Sequence, residues 1–240
     1  MRWRHSWPSR NLRSMAAEHT RADIERTSAP GSQPDGASSQ PGDSGDGARP
    51  GPDGVPRCPW ALGAPDYVAY HDEEWGKAVR GDAPLYERLI LEGFQSGLSW
   101  LTILRKRDAF RRAFAGFDPA AVARFGEAEV ERLMTDTSIV RNRKKIDATI
   151  TNARALQRLR EREGDDALDA LIWSFVPDHT QRPAPHTMAD LPATTPESAA
   201  LARTLKNHGF VFVGPTTIYA TMQAVGLVND HLAGCAWRIG

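Results

Sequence analysis

The sequence predicts an all-α domain over residues 57–240 behind an unstructured tail, residues 1–56, and three observations predict it. Apolar residues recur at helical spacing in one run after another, as at Ile146, Ile150 and Ala153, which fall at i, i+4 and i+7 on one face. Alternating strand patterns are missing, and the only candidate, Phe210-Val211-Phe212-Val213-Gly214, is too short to build a sheet. Residues 28–56 are nearly free of large apolar side chains and rich in Pro, Gly, Ser and Asp, so they bury too little surface to offset the entropy of ordering.

Taken in order, the chain opens with MRWRHSWPSRNLRSM, which is Arg-rich and has no acidic residue before Glu18. It resembles an organellar transit peptide without the apolar core of a secretory signal. The plainer reading is an unstructured extension ahead of a start at Met15. Asp82 as cap and Pro84 in the first turn begin a helix that the apolar pattern carries to Trp100. A second helical run covers residues 100–117, Asp118-Pro119 opens a third, and residues 126–134 make a fourth. Residues 141–162 form a longer amphipathic helix, 167–176 a short buried one, and the Pro-rich segment 177–195 a loop. A capped helix from Pro196 stops at Gly209, and a last run, residues 216–237, closes the chain. No internal repeat is visible.

Composition excludes several classes. No apolar run approaches the roughly 18 residues that cross a bilayer. Lysine plus arginine and aspartate plus glutamate number 30 each, and the part beyond residue 57 sits near −1, so contact with DNA requires a local basic patch. Two cysteines separated by 177 positions make no disulfide framework, and a reducing cytoplasm is the simpler setting.

Residues 58–100 concentrate the chemistry. Cys58 and His71 in a loop-rich segment, with His231 and Cys235 four apart, suggest four ligands to one ion, the last two leaving one face of a helix a turn apart. Thiolate and imidazole together suit tetrahedral Zn²⁺, structural because no position stays open. The alternative is two small buried cysteines and two hydrogen-bonded core histidines. Glu92 interrupts an apolar run and projects with Arg88, Gln95 and Ser96. It is either half of a solvated Arg88–Glu92 pair or a carboxylate lining a pocket, with Gly93 and Gly97 letting a flat ligand near the helix. Trp60, Tyr67, Tyr70, Trp75 and Trp100 are core or lid residues, or else the π faces of a receptor for a flat cation, worth about 1–2 kcal/mol when desolvated. The basic residues Arg141, Asn142, Arg143, Lys144 and Lys145 at the start of a helix offer cations and backbone N–H groups to phosphates. Arg105, Lys106, Arg107, Arg111 and Arg112 make a second cluster.

The strings CPWALGAPDYVAYHDEEWG, LEGFQSGLSW, TSIVRNRKKI, WSFV and GFVFVGPTTIYATMQAVGLVNDHLAGC, in that order, closely resemble the signature blocks of the type I DNA-3-methyladenine glycosylases over residues 57–237. The resemblance implies a helix-hairpin-helix glycosylase fold in which a structural zinc, held by Cys58, His71, His231 and Cys235, joins the two ends of the globular part. It implies Glu92 as the catalytic and base-recognising carboxylate, and Trp60, Tyr67, Tyr70, Trp75 and Trp100 as the base pocket. A DNA-contacting hairpin would run through Ile139, Val140, Arg141, Asn142, Arg143, Lys144 and Lys145. Thr137-Ser138 stand where glycine is common in such hairpins, which predicts a less regular turn. The implied enzyme is a cytoplasmic, monomeric, monofunctional hydrolase of the N-glycosidic bond that flips 3-methyladenine out of double-stranded alkylated DNA and leaves an abasic site. No aspartate stands out as a dedicated base. Two rivals stay open on the residues: a DNA-binding module without turnover, and a zinc hydrolase with His71 and Asp72 as ligands.

Overall fold

The computed structural model describes residues 47–178 and 182–238. Of the expected tail, residues 1–46 and the Arg-rich start lie outside the described residues. Residues 47–56 do not match the expectation of disorder: β1 (Arg49–Pro50) pairs antiparallel with β2 (Pro56–Arg57), and Gly47 bridges to Thr187. Arg57 accounts for this order. It is buried, its guanidinium grips Asp53 at 2.7 and 2.8 Å and Asp72 at 2.7 Å, and it lies over the Trp237 ring.

Apart from these two strands the described residues are helical and irregular, in keeping with the all-α expectation. A 3-10 turn at Pro59–Gly63 leads into α1 (Pro65–Glu73). Then come α2 (Asp82–Gln95), α3 (Trp100–Ala113), α4 (Pro119–Ala123) and α5 (Glu127–Thr135). The rest are α6 (Arg143–Glu163), α7 (Ala167–Trp173), α8 (Pro196–Asn207) and α9 (Pro215–Ala224). Residues 210–214 form a loop, as their length requires.

α2 is the axis of the fold. It packs against α3, α6, α7 and α9, and Leu85, Tyr86, Leu89, Ile90, Leu91 and Phe94 are all buried, because a helix surrounded by others must be apolar on most sides. Asp82, expected as its cap, is instead its first residue: the buried carboxylate accepts from Arg160 Nε at 2.7 Å and from the Asp169 N–H at 2.9 Å, tying α2 to α6 and α7. The helix also ends earlier than the apolar pattern suggests. Gly97, at φ +81°, reverses the chain in a left-handed conformation that other residues adopt at a cost of roughly 1–2 kcal/mol, and Ser99 caps a new helix at the Thr102 N–H.

The last run departs furthest from expectation. α9 stops at Ala224, and residues 225–238 contain no helix. Gly226 sets this: at φ +78° it lies so close to another strand of backbone that a Cβ there would come within 2.7 Å of the Lys77 carbonyl carbon. The Val79 N–H donates to the Val225 carbonyl at 3.1 Å alongside, so the segment after α1 is bound to the segment after α9. Both carry site residues.

Candidate active site and metal centre

A cavity of about 280 Å³ opens between α1, α2 and α9, at the small end of ligand pockets and suited to one heterocycle rather than an extended molecule. Trp60, Tyr67, Tyr70, Trp75, Glu92 and Trp100 all line it, so the sequence-predicted receptor set is brought together. The rings brace one another. Trp60 meets Trp75 edge-on at 5.1 Å and Tyr67 at 5.8 Å, and Tyr70 lies 5.3 Å from Trp100. The Tyr67 hydroxyl accepts from the Leu101 N–H at 2.9 Å, which fixes the start of α3 against α1.

Glu92 is 6% exposed. The expected pairing with Arg88 is not formed, because Arg88 turns to Glu74, which also takes a forked bond from Arg107 at 2.6 and 2.8 Å. Burial opposes ionisation of Glu74, but those two guanidiniums hold it down at about 2. With Arg88 so engaged, no described group donates a hydrogen bond to Glu92. Burial pushes its carboxyl up to about 8, and the charge of Arg88 only partly offsets this. Two further buried donors nearby, Trp100 Nε1 and Arg88 Nη1, also lack a protein partner. Unsatisfied buried polar atoms are uncommon, and one on a cavity wall, as at Trp100, is what a polar ligand completes; Arg88 lies behind the lining. Gly93 and Gly97 do not serve close approach, since a Cβ on either meets nothing within 4 Å.

The sequence gives no sign of the opposite wall. Gln95, Met188, Leu191, Ala220 and Gln223 complete the lining, Met188 and Leu191 coming from the Pro-rich loop. Asp190 orders that loop by accepting from the His186 and Thr187 N–H groups. Gln223 is oriented by Asp230, a buried carboxylate that also accepts from Tyr219 and Arg182.

Behind Trp60 and Trp75 the four candidate ligands converge. Cys58, His71, His231 and Cys235 are all buried, with one donor atom from each lying within 4.8 Å of the others. His231 Nδ1 is 3.2 Å from His71 Nε2 and 3.8 Å from Cys58 Sγ, and Cys235 Sγ is 3.5 Å from both ring nitrogens. The geometry differs from expectation in two places. His71 sits on α1, not in a loop, and His231 and Cys235 lie in a non-helical turn closed by the Cys235 N–H on the Leu232 carbonyl at 2.8 Å.

The surroundings orient all four donors. His71 Nδ1 donates to Asp72 Oδ1 at 2.8 Å, and His231 Nε2 to the Trp75 carbonyl at 3.3 Å, which leaves Nε2 of one ring and Nδ1 of the other as the inward lone pairs. Asp72 is thereby taken up by His71 and Arg57, and it is not among the converging donors. The Leu232 N–H points at Cys58 Sγ from 3.4 Å. The neighbouring Cys235 thiol and burial push the Cys58 thiol up, and a cation among the donors would let both ionise. Four of the six edges between inward-facing S and N atoms measure 3.2–3.8 Å, the spacing of a tetrahedral metal site, and all six lie within 4.8 Å.

The hairpin run at 139–145 is divided by the fold. Ile139 is 3% exposed in the hydrophobic core and Val140 packs half-buried against it, so both side chains are turned largely inward. Lys145 is also withdrawn: it is 9% exposed, with its ammonium on the carbonyls of Phe94 and Ser96. Asn142 caps α6 at the Lys145 N–H, and Arg143 is held by Glu127. Arg141 and Lys144 remain exposed without an ion-pair partner among the described residues. The turn ahead of them is well ordered despite lacking glycine, because Asp136 accepts from the Ser138 N–H at 2.8 Å and Lys106 holds the Ser138 carbonyl at 2.9 Å.

Comparison with known proteins places this geometry in a family. The sequence model of the methyladenine glycosylase family matches residues 60–239. DNA-3-methyladenine glycosylase 1 of Escherichia coli (strain K12) is 47% identical over 179 residues, 75% of this chain and 95% of that protein. DNA-3-methyladenine glycosylase of Haemophilus influenzae is 42% identical over 182 residues, covering 75% and 96%. A crystal structure of 3-methyladenine DNA glycosylase I superposes with a TM-score of 0.71 at 45% identity over 76% of this chain and all of that one. The Staphylococcus aureus enzyme, solved for the basis of its 3-methyladenine recognition, gives 0.70 at 32% identity, covering 77% and 97%. No described helix is long and apolar enough to cross a membrane. The chain therefore belongs to the methyladenine glycosylase family.

Proposed function

We propose that this chain releases 3-methyladenine from alkylated DNA by hydrolysing its N-glycosidic bond. The observation that carries the reading is Glu92: a buried carboxyl without a protein donor, facing a heterocycle-sized cavity walled by indole and phenol rings. Such a site disfavours a neutral purine, which brings no charge to offset the desolvated acid. It favours a methylated adenine, whose cation ionises Glu92 and lies against the π faces.

The duplex docks on a helix-hairpin-helix unit formed by α5, the turn at 136–142 and α6, with Arg141 and Lys144 on phosphates. Extrusion of the nucleotide costs a few kcal/mol of stacking, least for a damaged base. In the cavity Glu92 accepts donors of the base while the rings hold it. Methylation leaves positive charge on the ring, so the C1′–N9 electron pair returns to the base as the bond breaks, and neutral 3-methyladenine departs without a general acid. Water oxygen bonds C1′ and its proton passes to solvent, leaving an abasic site. Glu92 thus acts as a catalytic electrostatic group, holding the base by its donors and offering negative charge while positive charge passes from the base to the sugar, rather than as a base toward water.

Cys58, His71, His231 and Cys235 would hold Zn²⁺, whose bonds of about 2.3 Å to sulfur and 2.0–2.1 Å to nitrogen match the donor spacing. With four protein ligands the ion is structural. Held there, it would fix Trp60, two residues from Cys58, and Trp75, whose carbonyl orients His231. A glycosylase assay on methylated duplex with and without a strong chelator tests both statements. Release of free 3-methyladenine that falls on chelation supports them, and a methylated duplex left intact by the metal-replete protein refutes the activity.

A further inference from the structure

Lys145 is placed where a lysine is expensive to keep. It is the third residue of α6, and the positive end of a helix dipole disfavours a cation there. It is 9% exposed and no carboxylate pairs with it among the described residues, so its charge is desolvated without an ionic partner, and burial draws its pKa below the ordinary lysine value. What it gains lies on another helix. Nζ donates to the Phe94 carbonyl at 2.7 Å and the Ser96 carbonyl at 2.6 Å, at the end of α2 where carbonyls lack helical partners and the dipole is negative.

Those two carbonyls belong to a segment with consequences for the cavity. Phe94 follows Glu92 by two residues, and Ser96 begins the turn at Gly97 that delivers Trp100 at the head of α3. The ammonium therefore pins the chain between two pocket residues. The Lys145 backbone is bonded the other way: its N–H donates to the Asn142 side chain at 3.2 Å, in the turn that also presents Arg141. A single residue thus joins the DNA-facing turn, through its main chain, to the hinge of the base pocket, through its side chain.

We propose that Lys145 is a positioning residue that couples docking of the 136–144 turn on DNA to placement of the Glu92–Trp100 segment around the base, while its exposed neighbour Lys144 does no more than grip phosphate. The inference rests on the glycosylase reading above. Adjacent lysines in one basic run then have separate phenotypes. Lys144→Met weakens duplex binding and lowers the salt-dependence slope by about one. Lys145→Met keeps duplex affinity within about twofold and loses at least about tenfold in the single-turnover rate at saturating protein, the scale of two bonds to a charged donor. Lys145→Gln, which keeps one donor, falls between and replaces the methionine variant should that one not fold.

The measurements are melting temperature, duplex binding across a salt series, tryptophan quenching by free 3-methyladenine, and single-turnover base release. Free-base affinity within about threefold of the parent, beside the lost rate, supports coupling over construction of the pocket. The proposal is overturned if Lys145→Met or Lys145→Gln retains the parental rate, if its loss is confined to duplex affinity, or if free-base affinity falls by the whole factor of the rate. A parent that releases no 3-methyladenine removes the glycosylase reading and this one with it; a competent parent with neutral Lys145 variants removes this one alone.

Discussion

Replacing Glu92 by glutamine should make the protein more stable and less active, and the two effects share one cause. Burial holds the folded carboxyl at about 8 against an ordinary value of 4.5. A folded value above the unfolded one means that folding takes up a proton: stability is unaffected below about 4.5, declines as pH rises toward 8, and levels off above it. At pH 7 the penalty is roughly 3 kcal/mol, an upper estimate that Glu92→Gln removes while keeping the shape. Melting followed from pH 5 to pH 9 should show the variant gaining on the parent through this window, with little difference at pH 5. In single-turnover release of 3-methyladenine from alkylated duplex, the same variant should lose about 10²–10³-fold, the scale of removing one preorganised electrostatic contact in a dry site. Duplex affinity should stay within a few fold. A variant less stable than the parent at pH 8, or one losing duplex affinity as much as rate, would show that Glu92 is a structural acid, and the selection argument would fall.

The same carboxyl gives a kinetic signature: kcat/KM, which reports the free enzyme, should rise with pH through about 8, and the rise should vanish in Glu92→Gln. Substitution of the cluster with cobalt should give the absorption of a tetrahedral site with two sulfur ligands, and Cys58→Ser or prolonged chelation should cost several kcal/mol and lower 3-methyladenine quenching together; an octahedral spectrum would refute the assignment. Arg141→Ala should lower the salt-dependence slope of duplex binding by about one, whereas Arg143→Ala, whose charge is already held by Glu127, should change it little. Tyr67→Phe strands the Leu101 N–H and should cost about 1 kcal/mol, or roughly 2–4 °C of melting temperature, read by calorimetry.

Much of this site is written locally in the sequence, and its errors are instructive. Donor chemistry suggests Cys58, His71, His231 and Cys235 without separating them from buried core residues, the family resemblance gathers them, and neither gives their backbone settings. The apolar pattern from residue 216 onward continues helically past the point where a close approach to Lys77 requires Gly226 to turn the chain, and no local signal encodes a distant strand of backbone. Glu92 reads ambiguously for the same reason. Whether an acid on a helix faces water or a cavity depends on what packs around α2, and Arg88, its apparent partner, is claimed by Glu74 from another helix. The basic residues 141–145 look like one surface in the sequence, whereas each step along a helix rotates the side chain by about 100°. Lys144 and Lys145 consequently point to solvent and to the interior. Met188, Leu191 and Gln223 carried no signal, since apolar and amide side chains in a loop or on a core helix resemble ordinary packing.

The donor set is assembled from residues far apart in time as well as in sequence. Cys58 leaves the ribosome 177 residues before Cys235, an interval of roughly 10–35 s at usual elongation rates. For that period the emerging thiol and the His71 imidazole would be half of the proposed metal site, and the Trp75 carbonyl would lack its His231 partner. Under the proposed role of the metal site, competence for repair waits for Cys235, and translation under metal-starved conditions should yield full-length but inactive chains.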